Sequence, residues 1–521
     1  MPRINSIIAD GMTNNTSSLK WNASANFVGL GYTTLIGIVV LPLYLQYLGA
    51  EAFGLVGFFL VLQAWMQIFD LGMSPLLSRQ TAQARGQESG YLELRRLLRS
   101  LELILVVVAL LVFSAMAGGS SWISDNWLNV TSLETDIVAN CIVLMSVIVS
   151  FRFFVSLYRS GVQGMENQVR LNVVNIFLVT LKFVGALLLL KFLTQEITHF
   201  FIYQLAVGML ELTILMTMFY RCVPTTDKVG IAMYCSSLKP VLPFAAGMAY
   251  TAAIWVIMTQ LDKLVLSNIL PLSDYGYFSL VAVVAAGISQ IGSPISQAIL
   301  PRMTYLLSQG NEQGMVLLYR QSTQLMAAII LPLTAIIAFF SEELLFAWTG
   351  DKDAAEWAGP VLFWFALGNG VLAIAAFQFY LQFAHGKLKM HVIFNSIAAA
   401  VQIPLIVYAA YKYGVMAVAV TWFVLRLVSF FIWTPIVHKK FARGIHWSWL
   451  FGDIGPSFMM TSFLLIMVMS LSIPFEGMNR LIIIAVLIGI GLLMLLCNTL
   501  VSRAPRNLLI GTIMKRDSNE D

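Results

Sequence analysis

The chain of 521 residues is 59% hydrophobic and only 11% charged. Soluble domains hold roughly 45–50% apolar and about 25% charged residues, so the composition excludes a water-solvated globule and makes lipid the solvent for most of the chain. The net charge of +5 is scattered through short loops rather than gathered in a patch, which argues against a nucleic-acid partner and reads as a topology signal.

A spanning helix needs about 20 mostly apolar residues. On that criterion the sequence predicts an all-α polytopic membrane protein with about fourteen helices, near 21–48, 52–77, 100–118, 137–159, 171–191, 199–220, 241–269, 276–299, 321–341, 357–383, 392–411, 415–437, 453–473 and 481–500. Residues 1–20 and 501–521 form polar tails. Residues 1–18 are too polar, and the first apolar stretch too long, for a cleavable signal peptide.

Loop charge sets the orientation. With both tails on one side, that side collects twenty-three of the 31 Lys and Arg residues, among them Arg79, Arg85, Arg95, Arg96, Arg99, Arg320, Lys439, Lys440 and Arg443. The opposite loops hold Lys191, Lys352, Lys412 and Arg480, with acids such as Asp125, Glu342, Glu343, Asp351, Asp353 and Glu356. Positive loops stay inside, so both termini are expected in the cytoplasm. "Inner" and "outer" below refer to these two sides.

Helices one and two resemble helices seven and eight. Tyr47-Leu-Gly-Ala-Glu-Ala-Phe-Gly54 joins the first pair and Leu270-Pro-Leu-Ser-Asp-Tyr-Gly276 the second. Each carries an acid, then an aromatic, then Gly, and each Gly is followed about one membrane width later by a base, Arg79 or Arg302. Gly72-Met-Ser-Pro75 echoes Gly292-Ser-Pro294 in looser register. A six-helix offset implies two lobes in parallel orientation, 21–220 and 221–437, with 438–500 as a two-helix appendix.

Polar residues run along single helix faces. Helix one carries Asn22 and Asn26, helix two Gln63, Gln67, Asp70 and Ser74, helix four Arg152, Ser156 and Arg159, helix seven Thr251, Thr259 and Asp262, and helix eight Ser289 and Ser293. Such stripes serve interhelical hydrogen bonding or line a solvated cavity between lobes. Arg152, Lys182, Glu211, Asp262, Lys263 and Arg426 are charges within apolar spans, each costly in lipid without water or a partner. Two readings follow. Some are local pairs, such as Lys182 with Glu211. Alternatively Arg79, Arg152, Arg159, Lys182, Lys263, Arg302 and Arg426 make a cationic path for an anionic, diphosphate-like substrate, with Asp70, Glu211 and Asp262 as coupling or gating groups. Asp262 would face the cavity beside Thr251 and Thr259, while Lys263 lies on the adjacent face.

Cys141, Cys222, Cys235 and Cys497 have no metal-ligand spacing and read as buried free thiols, and His199, His385, His391, His438 and His446 read as interfacial. No phosphate-binding glycine loop and no metalloprotease motif occurs, so no cofactor, metal or catalytic residue is expected.

Tyr47 to Gly54, Phe69-Asp-Leu-Gly-Met-Ser-Pro75 with Arg79, Gln260-Leu-Asp-Lys-Leu-Val-Leu-Ser267, Gly276-Tyr-Phe-Ser279 and Pro301-Arg302 resemble the Wzx-type lipid-linked oligosaccharide flippases of the multidrug/oligosaccharidyl-lipid/polysaccharide exporter superfamily. The resemblance covers nearly the whole chain. It implies a bacterial inner-membrane protein that is not an enzyme and carries undecaprenyl-diphosphate-linked oligosaccharide to the outer leaflet by alternating access. It further implies coupling to protons, sodium or membrane potential, a lipid-facing groove at helices thirteen and fourteen, and polymerase and chain-length proteins as pathway partners. The alternatives are a multidrug exporter of the same superfamily, which would favour an acidic cavity, and a polysaccharide polymerase, which would carry a large external loop absent here.

Overall fold

The structure, a computed structural model, describes residues 29, 31–85, 90–223, 229–230 and 232–507, except the side chains at 293, 294 and 296–298. Asn22, Asn26 and the side chain of Ser293 lie outside this description, as do the start of helix one and most of both tails.

In lipid, each backbone N–H and C=O must find its partner within its own segment, so the apolar windows become helices. Thirteen helices among the described residues are long and apolar enough to cross a membrane. One of them, Lys389–Phe441, has 53 residues and would be about 80 Å long if straight, far beyond a hydrocarbon core of about 30 Å. Gly414, at φ 78° and ψ −165°, breaks it. Two spanning helices result, which makes fourteen among the described residues: α1 (Gly31–Leu48), α2 (Ala50–Met66, then Met73–Ala84), α3 (Gly90–Gly118), α4 (Thr135–Gly164), α5 (Gln168–Phe192), α6 (Ile197–Cys222), α7 (Leu242–Ile269), α8 (Leu272–Gln290, then Gly292–Ser308), α9 (Glu312–Phe339), α10 (Lys352–Ala384), α11 and α12 on either side of Gly414, α13 (Ser448–Ser470) and α14 (Arg480–Val501).

Two helices differ from simple rods. α2 stops being α-helical at the 3-10 turn Gln67–Asp70, followed by Leu71 and Gly72 at positive φ. Asp70 restarts it, its carboxylate accepting from the Ser74 amide (3.1 Å) and hydroxyl. An acid suits that site because the first-turn amides lack intrahelical partners. α5 contains a π-helical turn at Leu181–Gly185. Its carbonyls are taken up from outside the helix: Tyr203 Oη donates to Leu181 O (2.8 Å), Gln204 Nε2 to Lys182 O (3.2 Å) and Tyr44 Oη to Phe183 O (2.7 Å).

The chain forms two compact units, Met1–Gly276 and Tyr277–Asp521. In the first, α4 packs on α6 and on the inner half of α2, and α7 packs on α2. The first unit thus contains α7 besides the six helices of the expected N-lobe. Every residue from Glu51 to Phe59 is buried, which makes the outer half of α2 the axis of this unit. In the second unit, α10 packs on α9 and on the Lys389–Phe441 segment, while α13 and α14 pack on α9 through Ile336, Phe340, Leu464, Ile483, Leu487 and Met494.

Helix ends placed on one side by the charge argument meet one another. At outer ends, the Glu51 carboxylate accepts from the Ser132 amide (2.8 Å) and hydroxyl and from Thr131. Asn129 O accepts from Leu272 N (2.9 Å), and its side chain donates to Asn268 O (2.9 Å). At inner ends, Ser457 and Ser502 share a 2.8 Å hydrogen bond, and Ala504 N donates to Gln324 Oε1 (2.9 Å).

The repeat appears as a reciprocal contact. A Cβ on Gly54 would collide with the Leu272 carbonyl oxygen, and one on Gly276 would collide with the Ala50 carbonyl oxygen. Ala50 precedes Gly54 by four positions, as Leu272 precedes Gly276. The first turns of α2 and α8 therefore touch backbone to backbone through equivalent residues, an approach that only glycine permits.

Candidate functional site: a cationic cluster in the first unit

Arg152, Ser156 and Arg159 share one face of α4 over two turns. That face meets Glu211 on α6. Arg152 Nη1 lies 3.2 Å from Glu211 Oε2, and Arg159 Nη2 lies 2.8 Å from Oε1. The second Arg159 nitrogen donates to Asn175 Oδ1 on α5 (2.9 Å), and Asn175 in turn donates to Thr33 Oγ1 on α1 (3.5 Å). Lys182, on the π-helical turn of α5, lies within electrostatic reach of Arg152, Arg159 and Glu211. The expected Lys182–Glu211 pair is thus replaced by a carboxylate bridging two arginines, with the lysine beside them. Guanidinium forks match the two carboxylate oxygens better than a point charge does.

Two arginines, permanently charged, exceed the single acid, and Lys182 adds to the surplus when protonated. The acid is the sunken member: its side chain is 7% exposed, against 31% for Arg152 and 27% for Arg159. Glu211 is therefore the buried anchor of the pair, and the two arginine side chains are only partly buried around it. The cluster continues to the break in α2, where the Ser156 hydroxyl lies 3.0 Å from that of Ser74, which donates to Asp70. Asp70 thus serves the helix restart and borders the cluster.

The other expected site residues lie elsewhere. Arg79 is exposed on the inner half of α2, its guanidinium 4.6 Å from the Phe244 ring centroid. Gln63 is half-buried and Gln67 exposed. In the second unit Arg302 is exposed over Tyr305 (5.2 Å), Arg426 is 8% exposed with its guanidinium 4.0 Å from the Trp422 ring, and Ser289 donates to Asn369 Oδ1 (3.0 Å).

Asp262 departs from its expected placement. Thr251 is exposed and Thr259 half-buried, and each hydroxyl bonds its own helix at Gly247 O and Trp255 O. Asp262 is fully buried, on the face of Met258 and Leu266, and it interacts electrostatically with Tyr275. Residues 259 and 262 are neighbours on the helix surface, yet the surrounding packing buries Asp262 completely and leaves Thr259 half-buried. Lys263 donates to Thr259 O (2.7 Å) and lies 3.5 Å from Asp262 Oδ2, a local compensation.

The second unit holds a polar assembly that no sequence signal singled out. Asp453, 1% exposed, takes a bidentate pair from Arg320 (2.6 and 3.0 Å) and a bond from Gln324 Nε2 (2.7 Å). His438 is not interfacial: it is buried, 2.7 Å from Tyr319 Oη and 3.1 Å from the His446 ring. The thiols also divide, with Cys141 buried, Cys222 and Cys497 half-buried and Cys235 exposed.

A sequence model described as polysaccharide biosynthesis protein matches residues 19–307. A Shigella flexneri protein named "Putative O-antigen transporter" is 22% identical over 417 residues, covering 78% of this chain and 94% of that one. Among solved structures, lipid II flippase MurJ in an inward closed conformation superposes with a TM-score of 0.66 at 15% identity, covering 94% of this chain and 99% of that one. An inward-facing multidrug resistance MATE family transporter of the MOP superfamily gives 0.59 at 11% identity, covering 79% and 96%. The fold is that of these transporters, and the helices make this a multi-pass membrane protein. With the match spanning more than half of its length, the chain belongs to the polysaccharide biosynthesis protein family.

Proposed function

We propose that this protein is a flippase that moves polyprenyl-diphosphate-linked oligosaccharide from the cytoplasmic to the outer leaflet of a bacterial inner membrane by alternating access. The observation that carries the reading is the excess of permanent cations at the cluster, Arg152 and Arg159 on the single carboxylate of Glu211, with Lys182 beside them. A diphosphate diester brings two ionised oxygens and several acceptors, which suit paired guanidinium forks. The family match and the similarity to proteins named as an O-antigen transporter and a lipid II flippase support the same substrate class. A cationic drug would meet repulsion at this cluster, which disfavours the multidrug reading.

The test is made in a strain whose own exporter of this kind is deleted. Lipid extracts should accumulate the diphosphate-linked oligosaccharide on the inner leaflet, and expression of this chain should clear it. Unchanged accumulation with normal membrane insertion defeats the proposal. The orientation has its own test. With Cys141, Cys222, Cys235 and Cys497 replaced, Asp353→Cys should react with an impermeant thiol reagent in intact cells, because Asp353 is exposed beside an acidic loop that the charge asymmetry assigns to the outer side. Labelling only after lysis reverses the topology.

A further inference from the structure

At the inner ends of α9 and α12 lies a cavity of about 650 Å³ outside the cluster described above. Its basic wall is Arg320, Lys440 and Arg443, and Glu312 is the one acid at its edge. Arg320 is already neutralised by Asp453. Lys440 and Arg443 are exposed, and among the described residues no carboxylate lies within ion-pair distance of either. The lining also includes the apolar side chains of Val316, Leu317 and Ile445, and Leu317 is 56% exposed.

Two more side chains fix the depth. Trp447 and Phe451, stacked with centroids 5.7 Å apart and planes at 10°, are 66% and 68% exposed just beyond the cavity. Aromatic side chains exposed at a helix end settle at the lipid–water boundary. The cavity therefore lies at headgroup level, lined by both cations and hydrocarbon. A free phosphate would use only the cations.

We propose that this cavity is a binding site for an anionic glycerophospholipid of the cytoplasmic leaflet. Lys440 and Arg443 hold the headgroup phosphate, and Val316, Leu317 and Ile445 lie against the start of an acyl chain. Basic pockets between membrane helices suit such headgroups, and two unneutralised bases favour a headgroup with two phosphates over one with a single phosphate. The site does not depend on the exported substrate, so it stands or falls separately from the flippase reading.

The full-length protein in detergent is titrated with diphosphatidylglycerol or with phosphatidylcholine, and bound lipid is counted by native mass spectrometry. Wild type should retain diphosphatidylglycerol roughly ten- to thirtyfold better than phosphatidylcholine. The K440Q/R443Q variant should lose most of that preference with an unchanged melting temperature. K387Q/K389Q, which removes two exposed bases from another inner loop, should keep it. If the K440Q/R443Q protein does not fold, R443Q alone should lower the preference severalfold. Equal retention of the two lipids by wild type overturns the proposal. So does equal loss in the control variant, which would mean diffuse attraction rather than a site. Displacement by millimolar inorganic pyrophosphate as effective as by lipid would make this a free-anion site and also overturns it.

Discussion

Lys182→Gln is expected to lower export of the lipid-linked oligosaccharide about tenfold while leaving protein abundance unchanged, and Arg152→Gln with Arg159→Gln at least a hundredfold. The lysine variant is the cleaner one. Glu211 takes its direct hydrogen bonds from the two arginines, so losing Lys182 leaves that buried acid paired. A charge-assisted contact to a phosphate is worth about 1.5–3 kcal/mol, which sets the tenfold scale for one group and the hundredfold scale for two. The double arginine variant strands Glu211, and an unpaired buried charge destabilises by about 3–5 kcal/mol. Adding Glu211→Gln to it should therefore restore abundance without restoring export. Surface polysaccharide, measured against membrane-inserted protein, reads both effects. If the triple variant recovers export together with abundance, the cluster only holds helices together and the diphosphate assignment fails. If Lys182→Gln exports normally, the lysine is not part of the path.

The spans were legible because lipid leaves little freedom: about 20 apolar residues must cross as a helix. Gly54 and Gly276 marked the repeat for a related reason, since two backbones in contact tolerate no side chain. The interruptions were not legible. Nothing in Leu181–Gly185 announces a π-helical turn, because the donors that stabilise it, Tyr44, Tyr203 and Gln204, come from α1 and α6. The spacing of Arg152, Ser156 and Arg159 placed them on one face, but spacing cannot choose a partner across helices, and Glu211 chose both arginines over Lys182. Asp262 shows the limit of the helical wheel: its spacing sets it beside Thr251 and Thr259, yet neighbours bury it. Asp453 carries no signal of its own, because an acid at the start of a span looks like a solvated terminus. Its buried state depends on Arg320, 133 positions earlier.

The reciprocal glycine contact predicts an interaction that single substitutions cannot reveal. Gly54→Ala puts a methyl group against the Leu272 carbonyl, and Gly276→Ala puts one against the Ala50 carbonyl. The obstructing atoms are backbone, so no rotamer change relieves either clash; the first turns of α2 and α8 must move apart. Forcing an extra methyl into a packed contact costs about 1–3 kcal/mol, and each single variant should melt several degrees lower and export several times more slowly. The separation that relieves one clash also relieves the other, because both lie across the same pair of turns. The double variant should then cost little more than either single one, a coupling of the size found for residues in contact. The same separation would stretch the bond between Leu272 N and Asn129 O and weaken the hold of Glu51 on Ser132. Faster amide exchange at Leu272 and Ser132 should accompany the loss. The decisive measurement is the double-mutant cycle on melting temperature in detergent. Additive losses would mean that the two glycines are independent packing sites, and the reciprocal contact would not be the joint that the repeat suggests. Strong sub-additivity, with exchange at Leu272 and Ser132 rising together in each single variant, would show that the outer ends of α2 and α8 close as one unit.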